Sequence, residues 1–287
     1  MSYYKYLTEE RALEMLKNGS IRFTQACELN DVFELYPVFD NSNADFIFKK
    51  PTKRFTNEMN RISNLIPNTD EFRNIKRFLS MDNYDFINNM EDNQLIDFIN
   101  SLISDSVIRA IRNGLGILSL TIEKDIILMW SHYADNHKGV VIELDSDNPF
   151  FGDSIVKNRN VKYPKKRINT KLSNISLENI LFTKSPHWRY EKEIRIVRSI
   201  KDLNLVSNYR VYDSNGNNKE IYTASFPPEM VKAIYFGAEN KQNNCGSKYR
   251  KQIIEIIKDK YSHVEVHQGE LSRINYQLEF KQLKSIR

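Results

Sequence analysis

Cysteine is nearly absent: Cys27 and Cys245 are the only two in 287 residues. A disulfide framework and a cysteine-built zinc site are thereby excluded, and both thiols are expected to be reduced. Glycine is also scarce, at nine residues, so there is little material for a glycine-rich phosphate loop or a dinucleotide fingerprint. No apolar run approaches the ~20 residues of a membrane span. The opening segment, Met1 to Leu7, has no apolar signal core, so the expectation is a cytoplasmic chain without a membrane partner. A surplus of one charge is missing as well: 42 Lys and Arg against 37 Asp and Glu leave +5, too little to demand a nucleic acid or a membrane surface. What is present is a 40% hydrophobic fraction with 11% aromatics, enough for a true core and inconsistent with a fully disordered chain.

The order of elements suggests one α+β domain over residues 1–287. Tyr3 to Leu7 reads as an aromatic strand. Thr8 caps a helix with Glu9 and Glu10 in its first turn, and Asn18-Gly19 ends it. Ile21 to Thr24 is the next strand, and Asn30-Asp31 marks a turn. From about 40 to 113 the character changes. A basic loop, Lys49 to Arg54, leads into helical stretches, the last with Leu95, Ile99, Leu102, Ile103, Ser106 and Ala110 at helical spacing. This reads as a helical insertion. Gly116 to Thr121 is a strand, Asp125 to His137 a helix stopped by Gly139, and Val140 to Leu144 a β-branched strand. Further strands are expected at Glu193 to Val197, Val231 to Gly237, Val264 to Gln268 and Ile274 to Phe280, with a helix over Ser247 to Lys260. Strands do not alternate regularly with helices, which favours α+β over a doubly wound parallel sheet.

Function must therefore rest on side chains. In Trp130-Ser131-His132-Tyr133-Ala134-Asp135-Asn136-His137-Lys138-Gly139, a helix places Ile126, Trp130, Tyr133 and His137 on one stripe. That stripe either packs on the sheet or offers a Trp130 or Tyr133 ring to a ligand. His132 and His137 are five apart and point in different directions, so no shared metal is expected. In Trp188-Arg189-Tyr190-Glu191-Lys192-Glu193-Ile194-Arg195-Ile196-Val197, a strand turns Ile194 and Ile196 to the core. Glu191, Glu193 and Arg195 take the other face. That face is either solvated, with a weak Glu–Arg pair, or a carboxylate pair at a cleft edge that stabilises a cation. Ser119 and Thr121 share one strand face. Lys5, between two tyrosines, either snorkels or meets an anionic ligand. The basic tracts near Lys49 and Lys165 read as solvated loops with the capacity to bind phosphates.

Taken in order, these motifs resemble a widespread bacterial family known only as a domain of unknown function, numbered 2971. A more distant resemblance is to ADP-ribosyltransferases, whose split, antiparallel-rich β-sheet binds NAD. It implies that Lys5 takes the place of the family's first basic residue, normally Arg or His, and that Ser119 and Thr121 mark the middle strand. Tyr133 falls on the Tyr-bearing helix, and Glu191 and Glu193 are the late acids. The segment from Phe226 to Gly237 is similar to that fold's last core strand. The function so implied is an NAD-using transferase or hydrolase, a toxin or antiphage effector. Glu193 would sit on the ribose, Glu191 on the nucleophile and Tyr133 or Trp130 on nicotinamide, with Lys5 and Arg22 on the pyrophosphate. Implied partners are NAD, a nucleic-acid or protein acceptor, and an antitoxin or defence partner. Two alternatives from other classes are a non-catalytic sensor or ligand-binding domain and a nucleic-acid-processing protein.

Overall fold

The computed structural model describes residues 1–40, 57, 60, 105, 107–156, 159–167, 169–171, 176–206, 211–212, 218–241 and 248–283. Most of the expected helical insertion, the basic loop at Lys49 and Cys245 lie outside the described residues; within the insertion, residues 107–113 are helical. The chain is a mixed α/β structure built on one large open sheet.

Ten strands form that sheet: β1 (Ser2–Leu7), β2 (Ser20–Gln25), β4 (Leu115–Thr121), β5 (Val140–Asp145), β7 (Glu193–Ser199), β8 (Asn204–Leu205), β11 (Tyr222–Ser225), β12 (Val231–Phe236), β13 (Glu265–Leu271) and β14 (Leu278–Gln282). The short strands β3 (Val38–Asp40) and β6 (Asn169–Lys171) pair with each other, as do β9 (Val211–Tyr212) and β10 (Asn218–Lys219). Across the large sheet the order is β14-β13-β12-β5-β1-β4-β2-β11-β8, with β7 laid along β4. All its pairs are antiparallel except β12 with β13.

The centre of the sheet positions the site. β4 pairs with β7 along its whole length, Leu115 with Ser199 through Thr121 with Glu193. Its other edge is shared. Thr121 meets Tyr4 of β1 at one end, while Ile117 and Gly116 meet Thr24 and Gln25 of β2 at the other. Between those rungs β1 and β2 diverge from β4, and a cleft opens.

Period-two alternation divides the strands between two faces. Val140, Ile142 and Leu144, with Leu118, Leu120, Ile194, Ile196, Ile234 and Phe236, join one core cluster. Helix α1 (Glu9–Asn18) covers it with Ala12, Met15 and Leu16, and α4 (Lys248–Lys260) with Ile253 and Ile257. The Tyr261 hydroxyl donates to the Leu16 carbonyl at 3.0 Å and ties the two helices together. Each fully buried Leu or Ile there contributes about 1.5–3 kcal/mol. α1 begins as its sequence expects: the Thr8 Oγ1 accepts from Arg11 N at 3.3 Å, and Gly19 takes the left-handed conformation that ends it. On the opposite face Tyr6, Met129, Trp130, Val141, Ala233, Tyr235 and Leu278 form a second, aromatic cluster.

The structure corrects several expectations. The helix expected over Asp125 to His137 is only α2, Ile127–Tyr133. Asp135, Asn136 and His137 follow in three consecutive left-handed conformations, so His137 leaves the expected stripe. Asp, Asn and His are the side chains that tolerate this region best outside glycine. The strand expected from Ile274 starts only at Leu278, because the chain turns back through a Ser272 N to Gln277 O hydrogen bond. β11 and the short helix α3 (Leu177–Leu181) were not expected at all.

Candidate functional site

The cleft beside β4 has a volume of about 730 Å³. Lys5, Arg22, Ser119, Tyr133, Glu191 and Glu193 all line it, together with Arg11, Glu28, Asn30 and Lys184. Six of the eight candidate site residues, from five separate segments, thus meet in one place. The other two do not. Trp130 is fully buried, edge-on to Tyr6 and stacked on His137, and its indole N–H donates to the Lys124 carbonyl at 2.8 Å. It is a core residue and offers no ring to the cleft. Thr121 is also fully buried, and its Oγ1 accepts from Glu123 N.

Glu191 and Glu193 do not share a strand. Glu191 ends a 3₁₀ turn over Pro186–Glu191, and Lys192 is left-handed, so β7 starts only at Glu193. That kink brings both carboxylates to a single ammonium: Lys184 Nζ lies 2.6 Å from Glu191 Oε2 and 3.3 Å from Glu193 Oε2. The face is not solvated either. Glu191 is 3%, Glu193 4% and Arg195 0% exposed, which places their pairing in the regime where breaking it is costly. Arg195 grips Glu193 in a fork, Nε to Oε1 and Nη2 to Oε2, both 2.9 Å. It also pairs with the buried Glu34 and donates to the Leu181 carbonyl. The Tyr133 hydroxyl donates to Glu191 Oε1 at 2.6 Å and accepts from Asn30 Nδ2 at 3.0 Å. The Ser119 hydroxyl lies beside Glu193 and favours its ionised form.

Charge follows from these contacts. Burial pushes the Glu193 carboxyl up, Lys184 pulls it down and Glu191 pushes it up again; the Arg195 fork adds a second pull toward the ionised form. For Lys184, burial works against the charge, but Glu193 and Glu191 outweigh it and hold the ammonium well above the ordinary lysine range. Burial, and then Glu191, push Tyr133 up, so it remains a hydrogen-bond donor. With Glu34, three buried carboxylates face two buried cations, and the buried Asp31 acts on Arg195 as well, so carboxylates outnumber cations in this acidic pole.

The cleft also carries bases. Lys5 Nζ donates to the Ser119 carbonyl at 2.8 Å. Burial lowers Lys5 to about 8, with Arg11 and Arg22 pushing the same way against Glu193 and Glu191. Arg22 pairs with Glu28 at 2.8 Å. At the rim, His132, Trp188 and Tyr190 form an aromatic cluster with centroids 6.1–6.5 Å apart, and the Lys184 ammonium lies 4.9 Å from the Trp188 ring centroid.

Lys184, Glu34, Asn30, Arg11 and Glu28 were not singled out from sequence. The one faint signal was Lys184, the single charge in the run from Ile180 to Pro186. Asn30-Asp31 was read only as a turn. It also clamps the Lys184 segment, since Asp31 Oδ2 accepts from Ser185 N at 3.3 Å.

Residues 129–196 match the model of a family described as "Protein of unknown function (DUF2971)". The matched stretch holds Tyr133, Lys184, Glu191, Glu193 and Arg195, the acidic pole apart from Glu34 and Asp31. No curated protein and no solved structure matches the chain.

Proposed function

We propose that this chain, which carries a DUF2971 segment at residues 129–196, binds NAD in the cleft and cleaves the bond between nicotinamide and ribose. The reading is that of an ADP-ribosyltransferase-like enzyme or NAD glycohydrolase. The observation that carries it is one cavity lined by both signs of charge, with Lys5, Arg11 and Arg22 beside the buried acids Glu191 and Glu193. The bases suit a pyrophosphate. The acids suit a ribose that becomes cationic as its bond to nicotinamide breaks.

In this mechanism the C1′–N bond breaks and its electrons leave with nicotinamide, which departs neutral. The positive charge spreads over C1′ and the ring oxygen. Glu193, fixed by Arg195, accepts from the ribose 2′-hydroxyl and stabilises that charge. Glu191 takes the proton of the attacking water or acceptor hydroxyl as its oxygen bonds to C1′. Tyr133, anchored through Glu191, presents its ring to nicotinamide. An enzyme that depletes NAD or marks a cellular target in this way acts as a toxin or antiphage effector.

The test is nicotinamide release from NAD by the purified chain beside Glu193→Gln. The expected loss is about 10²–10³-fold. Equal turnover in both would remove Glu193 from this role. A second reading, a sensor that binds NAD without cleaving it, draws on the occupation of both carboxylates by Lys184, Arg195 and Tyr133. Thermal stabilisation by NAD with no nicotinamide released by either protein would favour it.

A further inference from the structure

A second cavity, of about 320 Å³, lies on the far side of the Lys184 segment, and Lys184 is part of both walls. Its chemistry differs from that of the cleft. Its charged lining residues are all cationic: Lys165, Lys166, Arg167 and Lys184, with no carboxylate among them. The rest is mostly apolar, including two aromatic rings that stay open to solvent, Phe33 at 56% and Tyr36 at 46% exposed. Arg167 lies 5.6 Å from the Phe33 ring centroid and donates to the Tyr36 carbonyl, so the cationic and aromatic parts form one built surface. The Thr183 hydroxyl is buried in this wall and has no hydrogen-bond partner among the described residues. A buried polar group of that kind calls for an explanation.

We infer that this groove binds single-stranded nucleic acid, with Lys165, Lys166 and Arg167 on phosphates and Phe33 and Tyr36 stacking on bases. Cations interleaved with exposed rings are the means by which proteins hold a single strand irrespective of sequence. Exposed rings beside the cations suit a strand whose bases are unstacked, whereas a duplex presents phosphates but no open base faces. A volume at the lower end of the ~300–1,000 Å³ usual for ligand pockets has room for an unstacked base. An acidic peptide would satisfy the lysines and leave unused the ring faces not covered by Arg167 and Arg112. The inference does not require NAD chemistry in the neighbouring cleft.

Fluorescence anisotropy of the full chain with a labelled single-stranded oligonucleotide of about ten nucleotides tests it without NAD present. The expected result is saturable binding that weakens as salt rises. The double substitution Lys165→Glu and Lys166→Glu should weaken it at least ~tenfold. Phe33→Ala, which removes a ring and no charge, should weaken it about five- to tenfold if a base stacks there. Both substitutions fall on solvent-exposed side chains, and an unchanged thermal melt checks that each variant is folded. No binding, equal binding by the lysine variant, or tighter binding of duplex or poly-glutamate than of the single strand would overturn the inference.

Discussion

Lys5 and Lys184 are two amines of one cleft driven in opposite directions. Lys184 has two carboxylates within 3.3 Å that outweigh its burial, whereas burial dominates at Lys5, whose ammonium meets a carbonyl oxygen, with Arg11 and Arg22 pushing down against Glu193 and Glu191. Lys5 therefore titrates near physiological pH, at about 8. Two consequences carry definite signs. Affinity for an anionic ligand should fall as pH rises through 8, by at most ~tenfold per pH unit, and Lys5→Met should remove the inflection. Calorimetric titration of pyrophosphate at pH 6.5, 7.5 and 8.5 measures it, and a flat profile in the parent chain would refute it. Folding stability moves the other way. Between about pH 8 and 10.5 the unfolded chain still holds the Lys5 proton and the folded chain does not, so this residue destabilises less as pH rises. At this scale the sequence was informative about residues that stand out from their own strand or helix. Glu191, Glu193, Tyr133, Lys5, Arg22 and Ser119 all reach the cleft. Glu34 was invisible because its partner, Arg195, lies far along the chain. The carboxylates of Lys184 are only seven and nine residues on, but the kink at Lys192 that brings both to one ammonium leaves no local pattern.

Among elements, the alternating strands were the most legible. β7 turns Ile194 and Ile196 to the core and Glu193 and Arg195 away from it, as its pattern dictates. The end of α2 was not legible, because helical periodicity carries no information about a left-handed exit. There Asp135, Asn136 and His137 wind the wrong way for an L-residue, and the turn closes with Gly139 N on the Ala134 carbonyl at 2.7 Å. Gly139 has no room for a side chain. A Cβ would lie 2.3 Å from the Leu7 carbonyl oxygen and 2.8 Å from Ala134, all backbone. Gly139→Ala should therefore destabilise the protein by about 3 kcal/mol. A calorimetric melt should fall by about 6–12 °C, and an unchanged melt would contradict the packing described.

The whole molecule sets a limit on what a local match can fold. The matched stretch, 129–196, contains β5 and most of β7, but β5 pairs with β1 and β12, and β7 has its ladder with β4. All three partners lie outside that stretch. Residues 129–196 expressed alone should lack a cooperative melt and give a largely unstructured far-ultraviolet dichroism spectrum; a sharp transition would show the segment to be self-sufficient. The α+β character was readable in advance, whereas the pairing order was not, since strand partners far apart along the chain leave no local pattern. One topological fact reaches furthest. The cleft exists because β1 and β2 each take one end of the same edge of β4. The opening is a property of the chain path and not of any loop. Its frame is therefore set by strand pairing, and the wall residues outside the buried Lys184–Arg195 network are the ones that can change without closing the hole.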